Sequence, residues 1–464
     1  MPPTLTHHTI PDISGAIMSP QTSSQPSDAL PAPLRAYPSK LFVETTTFCN
    51  LRCPMCVKQS ADSNIIDGDM TEETFSALEP VFPHLEALLL NGIGESLMHP
   101  HLLDFIHRAR RAMPEKSWIG FQSNGLLLDE RWARDLVASG LDRLCLSVDG
   151  IKPDTFSKVR EGEDLSDMEK AFGFLADARK RQPDTRLKIG VEFVLMEENK
   201  QQLLDTLRWV ADRGADFMLV TQASAYDTSA IEQLAYDNST DEAVKIFTYW
   251  RDKIADLGLD VRDYNSRWEM GRFLPGLDPK LVRMMELIDQ MRADAREKDV
   301  FLDLPRLLER GADKTEQLLA LFDEAEQLAR DLGVELSLPA AVPRHERKCD
   351  FVEDGGAFIS WDGAVHPCYF LWHQFRCFIN DWDRLIKPKI FGNVNERPLL
   401  DIWNDETFRS FRENVHAFDY PYCSNCAVAP CDLLQDEDFQ FDCYTLPEPC
   451  GACQWAMGLF QCLH

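Results

Sequence analysis

The chain has 464 residues, 44% of them apolar, and a formal net charge of −28. That length suits two or three domains with sizeable cores; the charge excludes nucleic acid, whose phosphates demand Lys and Arg, and disfavours anionic membrane surfaces. No run approaches the ~18 consecutive apolar residues of a membrane span, and the 14 cysteines sit in a chain too long for a disulfide-stapled scaffold and without a signal peptide, so a reduced, cytoplasmic setting with metal-bound thiolates is expected.

Residues 1–38 are rich in Pro, Ser and Thr and read as a disordered arm. From Leu41 the chain alternates strand-like and helix-like segments. Leu41–Thr47 is a strand that runs into Cys49-Asn50-Leu51-Arg52-Cys53-Pro54-Met55-Cys56. Thr71–Phe82 reads as a helix with Glu72 and Glu73 at the positive end of its dipole. Leu85–Leu90 has the mostly apolar content of a buried parallel strand. Pro100–Met113 follows as a helix with Pro at its first position. Ser117–Gln122 is the third strand, Asp129–Ser139 a helix closed by Gly140, and Leu144–Val148 the fourth strand. A helix over about 164–180, the strand Leu187–Leu195, a helix over about 199–213 and the strand Phe217–Thr221 complete six β-α repeats. Such repeats imply a parallel sheet with right-handed crossovers and chemistry at the C-terminal strand ends.

The expected fold is α/β, a partial (β/α)6 TIM-type barrel over residues 39–222. A charged helical insertion follows over 223–313, with helical stretches at Glu242–Ile254 and Leu281–Ala295. The last barrel helix, Lys314–Leu332, and a linker occupy 314–345, and a cysteine-rich region occupies 346–464.

Three thiolates in a short loop can hold three irons of a cubane [4Fe–4S] cluster and leave the fourth iron open. The alternative is a zinc knuckle, which needs a fourth Cys or His nearby; none lies between Val57 and Pro83. The C-x3-C-x2-C loop resembles the signature of the radical S-adenosylmethionine (SAM) enzymes, in which the open iron is chelated by SAM. The resemblance implies a SAM-binding [4Fe–4S] cluster on Cys49, Cys53 and Cys56, and reductive cleavage of SAM to methionine and a 5′-deoxyadenosyl radical.

Asn91-Gly92-Ile93-Gly94-Glu95 follows the second strand. Its glycines allow close backbone approach, and the segment resembles the family's Gly-Gly-Glu region that binds the SAM amino group, here with Ile93 between the glycines. Gly92, Gly94 and Glu95 are therefore expected at SAM. Ser123 and Asn124 end the third strand and Ser147 the fourth; by resemblance they are further SAM contacts, while their Asn-Gly and Asp-Gly neighbours read equally as turns. Glu192 falls on the opposite strand face from Val191, Phe193 and Leu195 and could enter the barrel. Asp149 and Glu192 are the acidic residues near the mouth, and neither is assigned as a catalytic base.

Ten cysteines lie from Cys349 onward. Cys349, Gly363, His366-Pro367-Cys368, Gly392-Asn393 and Cys423-x2-Cys426 resemble the SPASM extension of radical SAM proteins. That resemblance implies auxiliary clusters, expected to be two [4Fe–4S] cubanes. The family spacing C-x2-C-x5-C-x3-C is not kept: Cys431 follows Cys426 after four residues and Cys443 after eleven more. Cys349, Cys368, Cys423 and Cys426 are the first ligands expected, completed by Cys431, Cys443, Cys450 and Cys453 in an order left open. Cys377 and Cys462 are spares and Cys145 a core residue. On spacing alone, Cys423-x2-Cys426 with Cys450-x2-Cys453 would equally make a zinc ribbon.

The expected function is a radical SAM/SPASM enzyme that abstracts hydrogen from a peptide or protein substrate, a maturase making an oxidative modification or cross-link. A small-molecule dehydrogenase or epimerase, and a non-catalytic iron–sulfur electron carrier, are the alternatives. A ferredoxin- or flavodoxin-type electron donor is expected, and an acidic donor would need a basic patch on so acidic a chain, for which Arg384, Lys387 and Lys389 are the group in view.

Overall fold

The computed structural model describes residues 30–152, 165–264, 278–308, 312–379, 382–423, 426, 428 and 431–463. The disordered-arm reading of residues 1–29 lies outside them. Residues 30–38 are packed: buried Arg412 donates from Nε to the Pro33 carbonyl at 2.8 Å, and Trp403 Nε1 donates to the Arg35 carbonyl at 2.9 Å.

Seven strands pair in parallel and in chain order: β1 (Lys40–Val43), β2 (Ala87–Leu89), β3 (Trp118–Ser123), β4 (Arg143–Ser147), β5 (Lys188–Leu195), β6 (Phe217–Gln222) and β7 (Glu335–Ser337). The first six are the six expected strands, with most ends within two residues and β1 ending at Val43, four residues before the expected Thr47. Their apolar residues are buried on both faces, as parallel strands under helices must be. In β5 the period of two is visible: Val191, Phe193 and Leu195 are buried, and Glu192 between them is half-buried on the other face.

Helices return the chain between strands, several fixed by a side-chain cap. Asp129 accepts the Trp132 amide at 2.7 Å and Thr71 accepts that of Thr74 at 3.1 Å. The expected helix Thr71–Phe82 is α-helical only over Glu72–Leu78 and continues as 3-10 turns over Glu79–His84, where Pro80 and Pro83 withdraw the amides an α-helix would need. In the insertion, helices Asp241–Ala255 and Pro279–Glu297 pack on each other around their own core, with Phe247, Trp250, Met284 and Met291.

The cysteine-rich region is stitched into the barrel sheet. β8 (Gly356–Ile359) runs parallel to β1 on its outer edge, β9 (Ala364–His366) turns back antiparallel, and β12 (Gly392–Asn393) ends the ten-stranded sheet. β10 (Phe375–Ile379) and β11 (Trp382–Ile386) form a separate hairpin. The C-terminal segment returns to the far side of the barrel: the Gln222 amide donates to the Leu459 carbonyl at 3.1 Å and that of Ala340 to Gly458 at 2.7 Å. Both ends of the parallel sheet are thus contacted by the cysteine-rich region. Among the described residues no helix is long and apolar enough to cross a membrane.

Candidate cluster and cofactor sites

The run after β1, Glu44–Thr47, is fully buried, and it delivers the cysteine loop at the C-terminal end of the sheet. Thr47 Oγ1 donates to the Ile66 carbonyl at 2.8 Å and accepts the Gly68 amide at 2.8 Å, so the far side of the loop is tied to its base. Within it the Cys56 amide bonds the Cys53 carbonyl at 3.0 Å and Gln59 bonds Cys56 at 2.9 Å. Cys49, Cys53 and Cys56 are each half-buried.

The Gly92–Glu95 turn lies directly on this loop. A Cβ on Gly94 would collide with the carbonyls of Thr46 and Phe48, and the Glu95 amide donates to the Phe48 carbonyl at 2.8 Å. The Glu95 carboxylate is buried and held by three donors: the Leu97 amide at 3.1 Å, Ser123 Oγ at 2.8 Å and the Asn124 amide at 2.7 Å. Asn124 Nδ2 donates to Asn50 Oδ1 at 2.7 Å and stands 4.0 Å from Cys49 Sγ. Five expected residues (Gly94, Glu95, Ser123, Asn124 and Cys49) therefore form one connected wall. Ser123 spends its hydroxyl on Glu95 and on the Gly125 amide at 3.0 Å, which makes it a support of that wall. Ser147 and Glu192 face each other across β4 and β5, one strand further round. Asp149 is fully buried and accepts the Val194 amide at 2.7 Å, a structural use of its carboxylate.

Sequence reasoning missed the groups that reach this mouth from the cysteine-rich region. Glu44 is 0% exposed, lies against Gly92, accepts the Ile93 amide at 3.2 Å, and meets His373 Nε2 at 3.1 and 3.2 Å. Tyr369 Oη accepts from Asn91 Nδ2 at 2.8 Å, and burial with the nearby Cys462 thiol pushes its phenol up. Burial and the thiols of Cys377 and Cys56 likewise raise Tyr226, which lies between the two cysteine regions. The only sequence signal was that Glu44 is the one charged residue between Leu41 and Thr47.

The C-terminal cysteines sort into two sets. Cys349, Cys368, Cys450 and Cys453 are buried and act on one another electrostatically. Cys423 is coupled to Cys443, and Cys443 to Cys426 and Cys431; all four line one cavity of about 370 Å³ together with Tyr422, His345 and Phe301. Burial pushes Cys368 and Cys423 up to about 12 and Cys453 to about 11. Neutral thiols so crowded and so buried are a donor set that iron can use, because metal binding expels the protons and supplies the charge that desolvation withholds. All 14 cysteines are free thiols. Among the described residues no three His, Cys, Asp or Glu close onto the spacing of a single ion; a cubane spreads its thiolates around a cluster instead.

Cys377 is buried in β10 and Cys145 in β4. The basic group in view from the sequence is corrected: Arg384 is 5% exposed, Lys387 pairs with Asp438 at 2.7 Å and Lys389 with Glu448 at 2.7 Å. Internal acids and burial consume the charge that a docking patch would need.

Comparison with known proteins agrees with this geometry. Residues 43–210 match the model of the radical SAM superfamily, and residues 349–427 match that of an iron–sulfur cluster-binding domain, SPASM. The chain is 26% identical over 430 residues to the tungsten-containing aldehyde ferredoxin oxidoreductase cofactor-modifying protein of Pyrococcus furiosus, covering 91% of this chain and 96% of that protein. It is 30% identical to a GTP 3′,8-cyclase of Clostridium acetobutylicum over 26% of this chain and 37% of the cyclase. Among solved structures it is similar to Streptococcus suis SuiB bound to S-adenosylmethionine, with a TM-score of 0.45 and 11% identity over 81% of this chain and 68% of that one. The two domains bring a [4Fe–4S] cluster with SAM and auxiliary iron–sulfur clusters respectively. The chain belongs to the radical SAM superfamily of enzymes and carries a SPASM domain.

Proposed function

We propose that this enzyme abstracts hydrogen from a peptide or protein substrate and acts as a maturase, making an oxidative modification or a cross-link. When bound, SAM at the open cluster supplies the 5′-deoxyadenosyl radical. The residues that would hold that cluster are Cys49, Cys53 and Cys56. Glu95, held by three donors, would receive the SAM ammonium, with Gly92 and Gly94 giving backbone clearance and Asn124 closing the wall toward Cys49. Ser147 would complete the ring of polar groups. Cys349, Cys368, Cys450 and Cys453 would hold one auxiliary cubane, and Cys423, Cys426, Cys431 and Cys443 the other.

The observation that carries the reading is the bonding of the Gly94–Glu95 turn and of Asn124 to the three-thiol loop, with two further four-thiol sets behind it. The maturase assignment draws support from end-to-end similarity to a cofactor-modifying protein, whereas the cyclase similarity is confined to about a quarter of this chain. A ferredoxin- or flavodoxin-type donor and a cytoplasmic setting belong to the same proposal; the setting draws support from 14 cysteines that form no disulfide.

The test is anaerobic reconstitution with iron and sulfide, followed by chromatographic assay of 5′-deoxyadenosine under a strong reductant. Wild type should bind about twelve irons and form 5′-deoxyadenosine; the triple Cys49→Ala, Cys53→Ala, Cys56→Ala variant should form none and keep about eight. A variant left with no iron would remove the two-auxiliary-cluster reading.

A further inference from the structure

Arg384 plays no part at the barrel mouth, and its setting is unlike that of Arg376, Lys387 and Lys389 around it; Arg347, the other arginine acting on Cys423, shares the unpartnered Nε but gives its remaining nitrogens to the carbonyls of Tyr420, Pro421 and Gly451. It lies in β11 directly opposite Cys377 of β10, is 5% exposed, and its Nε has no hydrogen-bond partner. Among the described residues no carboxylate pairs with it. Its strand neighbour Arg376, by contrast, pairs with Asp62 at 2.7 Å and with Asp383 at 2.8 Å.

An uncompensated guanidinium inside a protein costs several kcal/mol, so a buried arginine without a carboxylate needs another anion. The thiols within electrostatic reach of Arg384 are Cys423, Cys377 and Cys431, which carry charge once metal has displaced their protons. Two of these belong to the set that lines the 370 Å³ cavity. A cubane on four thiolates is anionic in both of its working oxidation states and more so when reduced. A fixed cation beside it therefore favours the reduced state, and net charge around a cluster is one of the terms that set its potential.

We propose that Arg384 is the built-in counter-cation of the cluster held by Cys423, Cys426, Cys431 and Cys443, and that its charge raises the reduction potential of that cluster. This rests on the two-auxiliary-cluster reading above. Arg384 is a positioning and tuning residue: it touches no substrate, and it biases this cluster toward accepting an electron. The desolvation that its side chain suffers is thereby offset by the cluster charge, in place of the carboxylates that neutralise Arg376, Lys387 and Lys389.

The experiment uses the full chain in the triple Cys49/Cys53/Cys56→Ala background, where only auxiliary clusters contribute, and follows both midpoint potentials by electron paramagnetic resonance. A parent without auxiliary iron would defeat the two-cluster reading before any Arg384 variant is made. With the parent loaded, Arg384→Met should move one of the two couples to more negative potential and leave the other in place. Arg384→Lys should hold both at the parent values. The couple that moves should be the one missing in a Cys443→Ala variant. If Arg384→Met fails to retain one cluster, the lysine variant decides: iron kept with Lys and lost with Met supports a charge role, and iron lost with both overturns it. Full iron with unmoved couples in Arg384→Met, or an equal shift in Arg384→Lys, also overturns it.

Discussion

At the barrel mouth, Cys49, Cys53 and Cys56 are half-buried, and the side of the loop facing the sheet is polar, with Glu95 and Asn124 within hydrogen-bonding reach of its backbone and side chains. In the C-terminal region, Cys349, Cys368, Cys423, Cys450 and Cys453 are buried, and their burial holds the thiols protonated until metal displaces the proton. The mouth offers three thiols and a carboxylate, a donor set that is incomplete for a cubane and so leaves room for an exchangeable ligand. The C-terminal sets offer four thiols each, a complete ligand count. Ligand number separates the mouth from both C-terminal sets, as it must if one site binds and releases SAM and the others hold only electrons; burial sets apart only the group of Cys349, Cys368, Cys450 and Cys453, since Cys426 and Cys431 are half-buried and Cys443 is exposed.

The largest effects separate the two C-terminal sets. Each of Cys368→Ala and Cys423→Ala should remove about four irons after reconstitution, one cubane each. The pair Cys368→Ala/Cys450→Ala should lose no more than either single variant, because both thiols serve one cluster. The pair Cys368→Ala/Cys423→Ala should lose about eight. Iron counting on the four proteins checks the sorting, and a loss of about eight from the Cys368/Cys450 pair would mean that the sets have been divided wrongly.

An intermediate effect is expected where the two regions meet. Glu44 is buried beneath Gly92 and, among the described residues, its side-chain partner is His373, which comes from the cysteine-rich region. His373→Leu leaves a buried carboxylate with only the Ile93 and Trp361 amides, a change that costs about 3 kcal/mol where a buried pair is broken from one side. Chemical unfolding should register that loss, and SAM affinity should fall with it because Glu44 supports the glycine turn. Double replacement Glu44→Gln/His373→Leu should recover most of the stability; failure to recover it would mean that His373 acts through packing on Trp372, 5.0 Å away, instead of through its bond to Glu44.

The barrel was legible because its signals are local. Apolar runs, caps such as Asp129 and stops such as Gly140 and Gly214 fix six strands and their helices within a few residues. The cysteine loop and the Gly92–Glu95 turn were legible for the same reason, being short motifs at strand ends. What escaped was everything that depends on contacts between distant segments. β7 has three residues and no strong pattern, and β8 joins β1 across more than 300 residues of chain. Periodicity carries no information about such a pairing. The grouping of Cys349 and Cys368 with Cys450 and Cys453, the approach of His373 to Glu44 and the burial of Arg384 are likewise products of that pairing and of the return of the C-terminal segment. Arg384 and Lys389 read as surface charges in sequence because nothing local reveals that the first is buried opposite Cys377 and that Glu448 meets the second.

The smallest expected effect tests the other seam, between the barrel and the helix that follows the insertion. Glu197, two residues past β5, reaches Lys200 at 2.5 Å and Lys314 at 3.2 Å, and Lys314 Nζ also donates to the Leu234 carbonyl at 2.7 Å. Partial burial opposes ionisation of Glu197, yet the two lysines together hold its carboxyl below the usual range. A carboxyl depressed on folding contributes stability above its unfolded pKa and loses it as pH falls through the folded value. The side chain is 39% exposed, so solvent screening leaves the Lys314 pair about 0.5 kcal/mol. Lys314→Met should therefore lower the unfolding temperature by about 1–2 °C at neutral pH. The deficit should shrink in high salt and should fade as the pH drops below about 4, where the unfolded-state carboxylate is protonated and the folded one begins to follow. A deficit that persists undiminished into acid would assign the effect to the bond from Lys314 to the Leu234 carbonyl, which no carboxyl titration can remove.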